Sequence, residues 1–289
     1  MDKKDFYSPA EIVDVALDVC VKKVSTPYLK EFVLAILAGV FIGFASEGSN
    51  MAAFNLFARP ETYGLGKALA GFVFGTGLML VVVAGAEMFT GQTLILAAVM
   101  DGKVTLSQML KNWILVWIGN LVGALFLVYM MVNSGLFDSG DNVLGAMTIK
   151  IAAYKTSLPF MSAFWLGVMC NWLVCLAVWM SFAAKDVIGK LFSAFFPIWL
   201  FITSGFEHSV ANMYYIPAGI LAKSNPRWAE AATQYGVSPE KLEHLNWTTF
   251  FMNSQLPVTL GNIVGGGILV AGVYWYVYKQ GRKSIHNKV

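Results

Sequence analysis

Gly85-Ala86-Glu87-Met88-Phe89-Thr90 and Gly205-Phe206-Glu207-His208-Ser209-Val210 each place an acidic residue right after Gly-X, in the middle of a long apolar stretch. A carboxylate in hydrocarbon is costly, so each must face protein or a water-filled path. The arrangement occurs twice. That predicts a duplicated membrane protein in which two interrupted helices meet near the midplane, as in many transport proteins.

Composition supports this. Of 289 residues, 57% are hydrophobic and 13% charged, against roughly 25% charged in a soluble globular chain. Apolar runs of about 20 residues recur, each long enough to cross a bilayer. No apolar run precedes Tyr28, so no cleavable signal peptide is expected. Cys20, Cys170 and Cys175 make no disulfide framework, and His208, His244 and His286 have no metal-ligand spacing. No Walker loop, dinucleotide fingerprint or nucleophile elbow occurs. The expectation is a protein without metal or cofactor, and not an enzyme.

Pro9 to Ser25 reads as an amphipathic helix with an apolar stripe of Ile12, Val13, Ala16, Leu17 and Val21, lying on the membrane or under the bundle. Six spans follow: Lys30 through the 40s, Leu65 to Met100 with an interruption at Gly85–Gly91, Met109 to Val132, Phe160 to Ala183, Ile188 to Ile220 with a break at Ser204–Ser209, and Phe250 to Tyr278. The predicted organisation is an N-terminal helix (1–28), a channel domain (29–278, with repeats at about 29–133 and 158–278) and a basic tail (279–289). Six spans put both termini on one side. Thirteen Lys and Arg fall on that side and seven on the other, which predicts cytoplasmic termini.

Three short matches occur in the same order in each half: Gly39-Val40 with Gly167-Val168, Gly85-X-Glu87 with Gly205-X-Glu207, and Gly119-Asn120-Leu121-Val122-Gly123 with Gly261-Asn262-Ile263-Val264-Gly265. Three spans per half is an odd number, so the halves are inverted. The fold class expected is all-α: six transmembrane helices in two inverted three-helix repeats.

After each break a half-helix begins, near Thr90 and near Ser209, with unpaired N–H groups and partial positive charge. Two such ends aimed at a common centre favour an anion. His208 changes charge near physiological pH and can attract an anion or give it a proton; the alternative is a buried neutral histidine. Glu87 and Glu207 are read as structural acceptors of loop N–H groups, because a charge in the path would repel an anion. Asn171 and Asn212 either bond between helices or line the path. Phe89 and Phe201 flank the breaks, as an apolar constriction or as ordinary packing.

These stretches, with Lys111-Asn112-Trp113, the run Asn171 to Trp179, Ser204 to Met213 and Pro257 to Gly267, resemble the formate–nitrite transporter family, and its formate channels most. The resemblance implies an aquaporin-like protomer in a homopentamer of the bacterial inner membrane. It implies one path per protomer for formate, nitrite or hydrosulfide, with formate favoured and passage dependent on pH. It makes His208 the central histidine and Thr90 its partner. It places Phe74, Leu78, Met88, Phe89, Val174 and Phe201 at the constrictions, sets Asn171, Glu207 and Asn212 around the histidine, and puts Lys155 in a vestibule. Ser46-Glu47-Gly48-Ser49-Asn50 is more polar than the formate-channel pattern and is expected to reshape the outer vestibule. An aquaporin-type pore for neutral solutes is the alternative class, but it requires Asn-Pro-Ala at the breaks, and neither break contains proline.

Overall fold

Ser8 and Pro9 start the first helix, where the Glu11 carboxylate accepts the Ser8 backbone N–H at 2.8 Å. A computed structural model describes residues 5–280; most of the basic tail lies outside the described residues. Helix α1 (Pro9–Val24) buries Ile12, Val13, Ala16, Leu17 and Cys20. It packs on the helices Phe160–Ala183 and Ile95–Met100, so it lies under the bundle. Cys20 takes the place in the stripe expected of Val21, which is half-buried.

The spans are α2 (Tyr28–Phe57), α3 (Pro60–Gly85), α6 (Leu106–Asn133), α8 (Phe160–Ala183), α9 (Val187–Ser204) and α13 (Trp247–Gln280). Between them lie α4 (Phe89–Gln92), α5 (Ile95–Met100), α7 (Val143–Thr156), α10 (Ser209–Ala222), α11 (Pro226–Gln234) and α12 (Pro239–His244). The chain is thus a multi-pass membrane protein. The polar run Ser46 to Asn50 does not end α2, because its hydroxyls bond back along the helix: Ser46 Oγ donates to Ile42 O at 2.8 Å and Ser49 Oγ to Ala45 O at 2.7 Å. Helices α7, α11 and α12 have no counterpart in the expected span list. They run 14, nine and six residues, shorter than a membrane span, so length does not announce them.

Helices pair through glycine. A Cβ on Gly123 would sit 2.0 Å from Ile36 O, and one on Gly265 2.2 Å from Val168 O, so only glycine lets α6 reach α2 and α13 reach α8. These contacts fix the register of the duplication. Ile36 answers to Val168, and Phe32 answers to Phe164, each pair 132 residues apart. The Gly39–Gly167 match is therefore one helical turn out of register, since the residue equivalent to Gly39 is Asn171. The slip is understandable: glycine recurs at every close crossing, so a two-residue match cannot fix a phase. The same offset places α1 opposite α7, Lys23 opposite Lys155 and Pro27 opposite Pro159. The equivalent contacts thus extend beyond the expected repeat limits of 29 and 158 to include the helix that precedes the first span of each half, α1 and α7.

Candidate functional site: two breaks and the centre between them

Gly85 (φ +87°) and Gly205 (φ +78°) turn the chain out of helix in the left-handed region, which costs least for glycine. Backbone groups freed at mid-membrane need partners. Asparagines on α6 and α13 supply them identically. Asn120 Oδ1 accepts Phe89 N–H at 2.8 Å, and its Nδ2 donates to Ala35 O at 2.8 Å and Glu87 O at 2.9 Å. Asn262 Oδ1 accepts Ser209 N–H at 2.9 Å, and its Nδ2 donates to Gly167 O at 2.8 Å and Glu207 O at 3.1 Å. Glu87 N–H reaches Leu34 O at 3.1 Å and Glu207 N–H reaches Leu166 O at 3.3 Å.

The carboxylates are held alike. Glu207 accepts Lys155 Nζ at 2.9 and 3.0 Å and Asn212 Nδ2 at 2.7 Å. Glu87 accepts Lys23 Nζ and Gln92 Nε2. Their partners are a lysine and an amide, not the loop N–H groups expected. A buried acid needs a counter-charge, and several loop N–H groups, those of Glu87, Phe89, Glu207 and Ser209, already bond elsewhere. Lys155 is correspondingly tied to Glu207 and is not a free vestibule charge. Lys23 and Gln92 were missed from the sequence. The signal was there, as Lys-X-Ser-X-Pro at 23–27 and 155–159, and as an amide five residues after each glutamate.

The half-helix ends are also not the paired bare N-termini expected. Helix α4 ends after four residues. Trp113 Nε1 takes Gln92 O at 2.9 Å, and the Thr90 carbonyl accepts Thr93 Oγ1 at 2.7 Å and Asn171 Nδ2 at 3.2 Å. Side chains across the bundle thus take the carbonyls that would continue the helix. At α10, Asn262 and His208 cap the first N–H groups.

Between the breaks, His208 Nε2 lies 3.1 Å from Thr90 Oγ1. His208 Nδ1 accepts Ala211 N–H at 3.0 Å. A backbone N–H can only donate, so in the neutral ring the proton sits on Nε2 and points to Thr90. A second proton at Nδ1 would oppose the Ala211 N–H and break the cap. Phe201 stacks on the His208 ring with centroids 5.8 Å apart, and Phe74 meets Phe201 edge-on at 5.8 Å. Val174 is buried with them, while Asn171 donates to Thr93 Oγ1 at 3.1 Å and Asn262 O at 2.6 Å, an interhelical role. Asn212 likewise holds Glu207 and Ser254 rather than the histidine.

Two cavities approach this centre. One, of about 700 Å³, is lined by Lys22, Lys23, Leu78, Glu87, Met88 and Lys190 among others. The second, of about 560 Å³, is lined by Asn50, Lys67, Lys155, Gly205, Phe206 and Glu207 among others. They lie at opposite ends of α3 and α9, and the lysines divide between them as the two-sided charge count predicts. Leu78 and Met88 are among the apolar residues lining the first. The Phe89 ring does not face either cavity: it packs edge-on to Trp113 at 6.3 Å. Thr90, Phe74, Val174, Phe201 and His208 are buried, line neither cavity and make up the centre between them.

The family model described as formate/nitrite transporter matches residues 10–276. The chain belongs to the formate/nitrite transporter family. Among its relatives, the formate channel FocA of Escherichia coli (strain K12) is 40% identical, over 95% of this chain and 95% of that one. The probable formate transporter of Methanothermobacter thermautotrophicus is 39% identical, over 94% and 97%. A solved pentameric formate channel with formate bound superposes with a TM-score of 0.75 at 37% identity, covering 87% of this chain and 97% of that one. The relatives are channels and transporters, in keeping with a family member that moves solute across the membrane.

Proposed function

We propose that this family member is a homopentameric formate channel of the bacterial inner membrane, with one path through each protomer and both termini cytoplasmic. The carrying observation is the His208–Thr90 contact, made between the two halves in a buried centre that separates two basic cavities. The cavities gather the anion by charge. A bare anion in this buried, mostly apolar centre pays a large desolvation cost, and its conjugate acid pays much less. The neutral His208 ring donates from Nε2 through Thr90. At lower pH the ring takes up a second proton at Nδ1, releasing the Ala211 N–H, and gives its Nε2 proton through the Thr90 hydroxyl to the anion, which returns the ring to neutral. The neutral acid then crosses the apolar seal of Phe74, Leu78, Met88, Val174 and Phe201.

Formate flux into liposomes across about pH 5 to 8, a window around the ordinary histidine pKa, tests this. The wild type should carry formate with a flux that changes through the window. His208→Asn should keep the pentamer and flatten the profile. Superimposable profiles would make His208 structural and overturn the mechanism. Nitrite and hydrosulfide, run in the same assay, rank the family's candidate anions.

A further inference from the structure

The second cavity holds two donors with nothing to donate to. Lys67, half-buried on α3, has no ion pair or hydrogen bond among the described residues. Its ammonium reaches the second break: a Cβ on Gly205 would lie 3.7 Å from Lys67 Nζ. The nearby Glu207 is already held by Lys155 and Asn212. Asn50, on α2, lines the same cavity, is 2% exposed, and its Nδ2 has no acceptor. A buried N–H without an acceptor is costly unless something arrives to accept from it. Both line this cavity from adjoining helices. Ser49, next to Asn50, donates to Ala70 O at 2.8 Å, one turn beyond Lys67. Among the described residues no equivalent pair lines the first cavity, and the position matching Lys67 across the breaks (120 residues on) is Val187.

We propose that Lys67 and Asn50 form an anion-docking site at the mouth of the second break, for a small monovalent oxyanion. Lys67 supplies the charge. The Asn50 amide supplies a directed hydrogen bond that suits a carboxylate oxygen better than a diffuse sulfur anion. This gives the polar run Ser46 to Asn50 a part in choosing the anion. The Ser46 and Ser49 hydroxyls and Glu47, which accepts from Tyr214 OH, are turned inward and hold α2 in place. The site deepens the transport reading and rests on it.

The test is concentration-dependent uptake of formate and of hydrosulfide into proteoliposomes, with wild type, Lys67→Met, Lys67→Arg and Asn50→Leu, each first shown to be pentameric. Equilibrium binding of labelled formate to the detergent-solubilised pentamer is measured alongside. Lys67→Met should raise the formate KM roughly tenfold, the loss expected for one charged hydrogen bond, with maximal flux little changed. Lys67→Arg should retain most of the affinity. Asn50→Leu should raise the formate KM several-fold and leave hydrosulfide nearly unmoved. Unchanged formate KM and binding in both Lys67→Met and Asn50→Leu would overturn the site. A wild type that carries no formate at all would instead overturn the transport reading, whatever the binding measurement returns.

Discussion

Asn120 and Asn262 hold the two breaks by the same set of bonds, yet the chain beyond each break behaves differently. Past the second break α10 runs for 14 residues, and past the first α4 stops after four. The offset of 120 residues between the breaks pairs Glu87 with Glu207 and Gln92 with Asn212, keeping the acid and its amide. It pairs His208 with Met88, Thr90 with Val210 and Thr93 with Met213. The scaffold is duplicated and the central polar pair is not. Each half supplies one partner of the His208–Thr90 contact where the other half has an apolar residue. Thr93 adds a hydroxyl that competes for the Thr90 carbonyl and shortens α4, whereas Met213 offers none, so α10 continues. A symmetric frame thus holds an asymmetric centre, and the frame and the centre should respond to mutation separately.

The sharpest way to break the symmetry of the frame is to remove an anchor. Asn262→Leu or Asn120→Leu strands several buried backbone groups at once, each costing about 1–3 kcal/mol. Neither variant should yield a stable pentamer by size-exclusion chromatography. If one half tolerates the loss, the two anchors are not equivalent. Next come the lysines. Lys155→Met leaves the Glu207 side chain, 3% exposed, without its counter-charge, whereas Lys23→Met does the same to Glu87, 17% exposed. Breaking a buried pair costs about 3–5 kcal/mol, so the Lys155 variant should show the larger fall in thermal midpoint, and solvent should reduce the Lys23 effect to about 1 kcal/mol. Restoring neutrality with Glu207→Gln in the Lys155→Met background should recover most of the loss.

A smaller change probes the centre alone. A Cβ on Gly266 would lie 2.2 Å from Thr93 Oγ1, 2.4 Å from Asn171 Nδ2 and 2.5 Å from Cys175 Sγ. Gly266→Ala should therefore push Thr93 and Asn171 off the Thr90 carbonyl, at about 1–3 kcal/mol. It should alter the pH profile of flux more than it lowers the melting point. Phe89→Ala should matter least for selectivity. Its ring packs on Trp113, so chloride exclusion should hold while stability drops, whereas Phe201→Ala, which removes the ring stacked on His208, should raise leak. Equal leak in the two variants would return Phe89 to the constriction.

Much of this was readable in the chain. The two Gly-X-Glu sites marked both breaks, and His208 and Thr90, placed by the family resemblance, do meet. What the sequence hid has specific causes. Phe89 and Met88 are adjacent apolar residues, and which one faces the path depends on where Asn120 pins the backbone. Lys155 looked like a free vestibule cation because its partner Glu207 is 52 residues away in the chain. The Gly39 register slipped because a glycine has no side chain to mark which neighbour it admits.

The sequence alone determined that the protein crosses a membrane six times, that its halves are inverted copies and that each copy is broken beside an acid. Hydropathy, span parity and the cost of a buried charge are local or additive, and can be summed along the chain. The tertiary structure decided which donors satisfy each carboxylate, how far each half-helix runs and which nitrogen of His208 carries the proton. Those depend on groups brought from the far half of the chain to within 3 Å or so of one another, a hydrogen-bond distance that no pattern along one strand of sequence encodes.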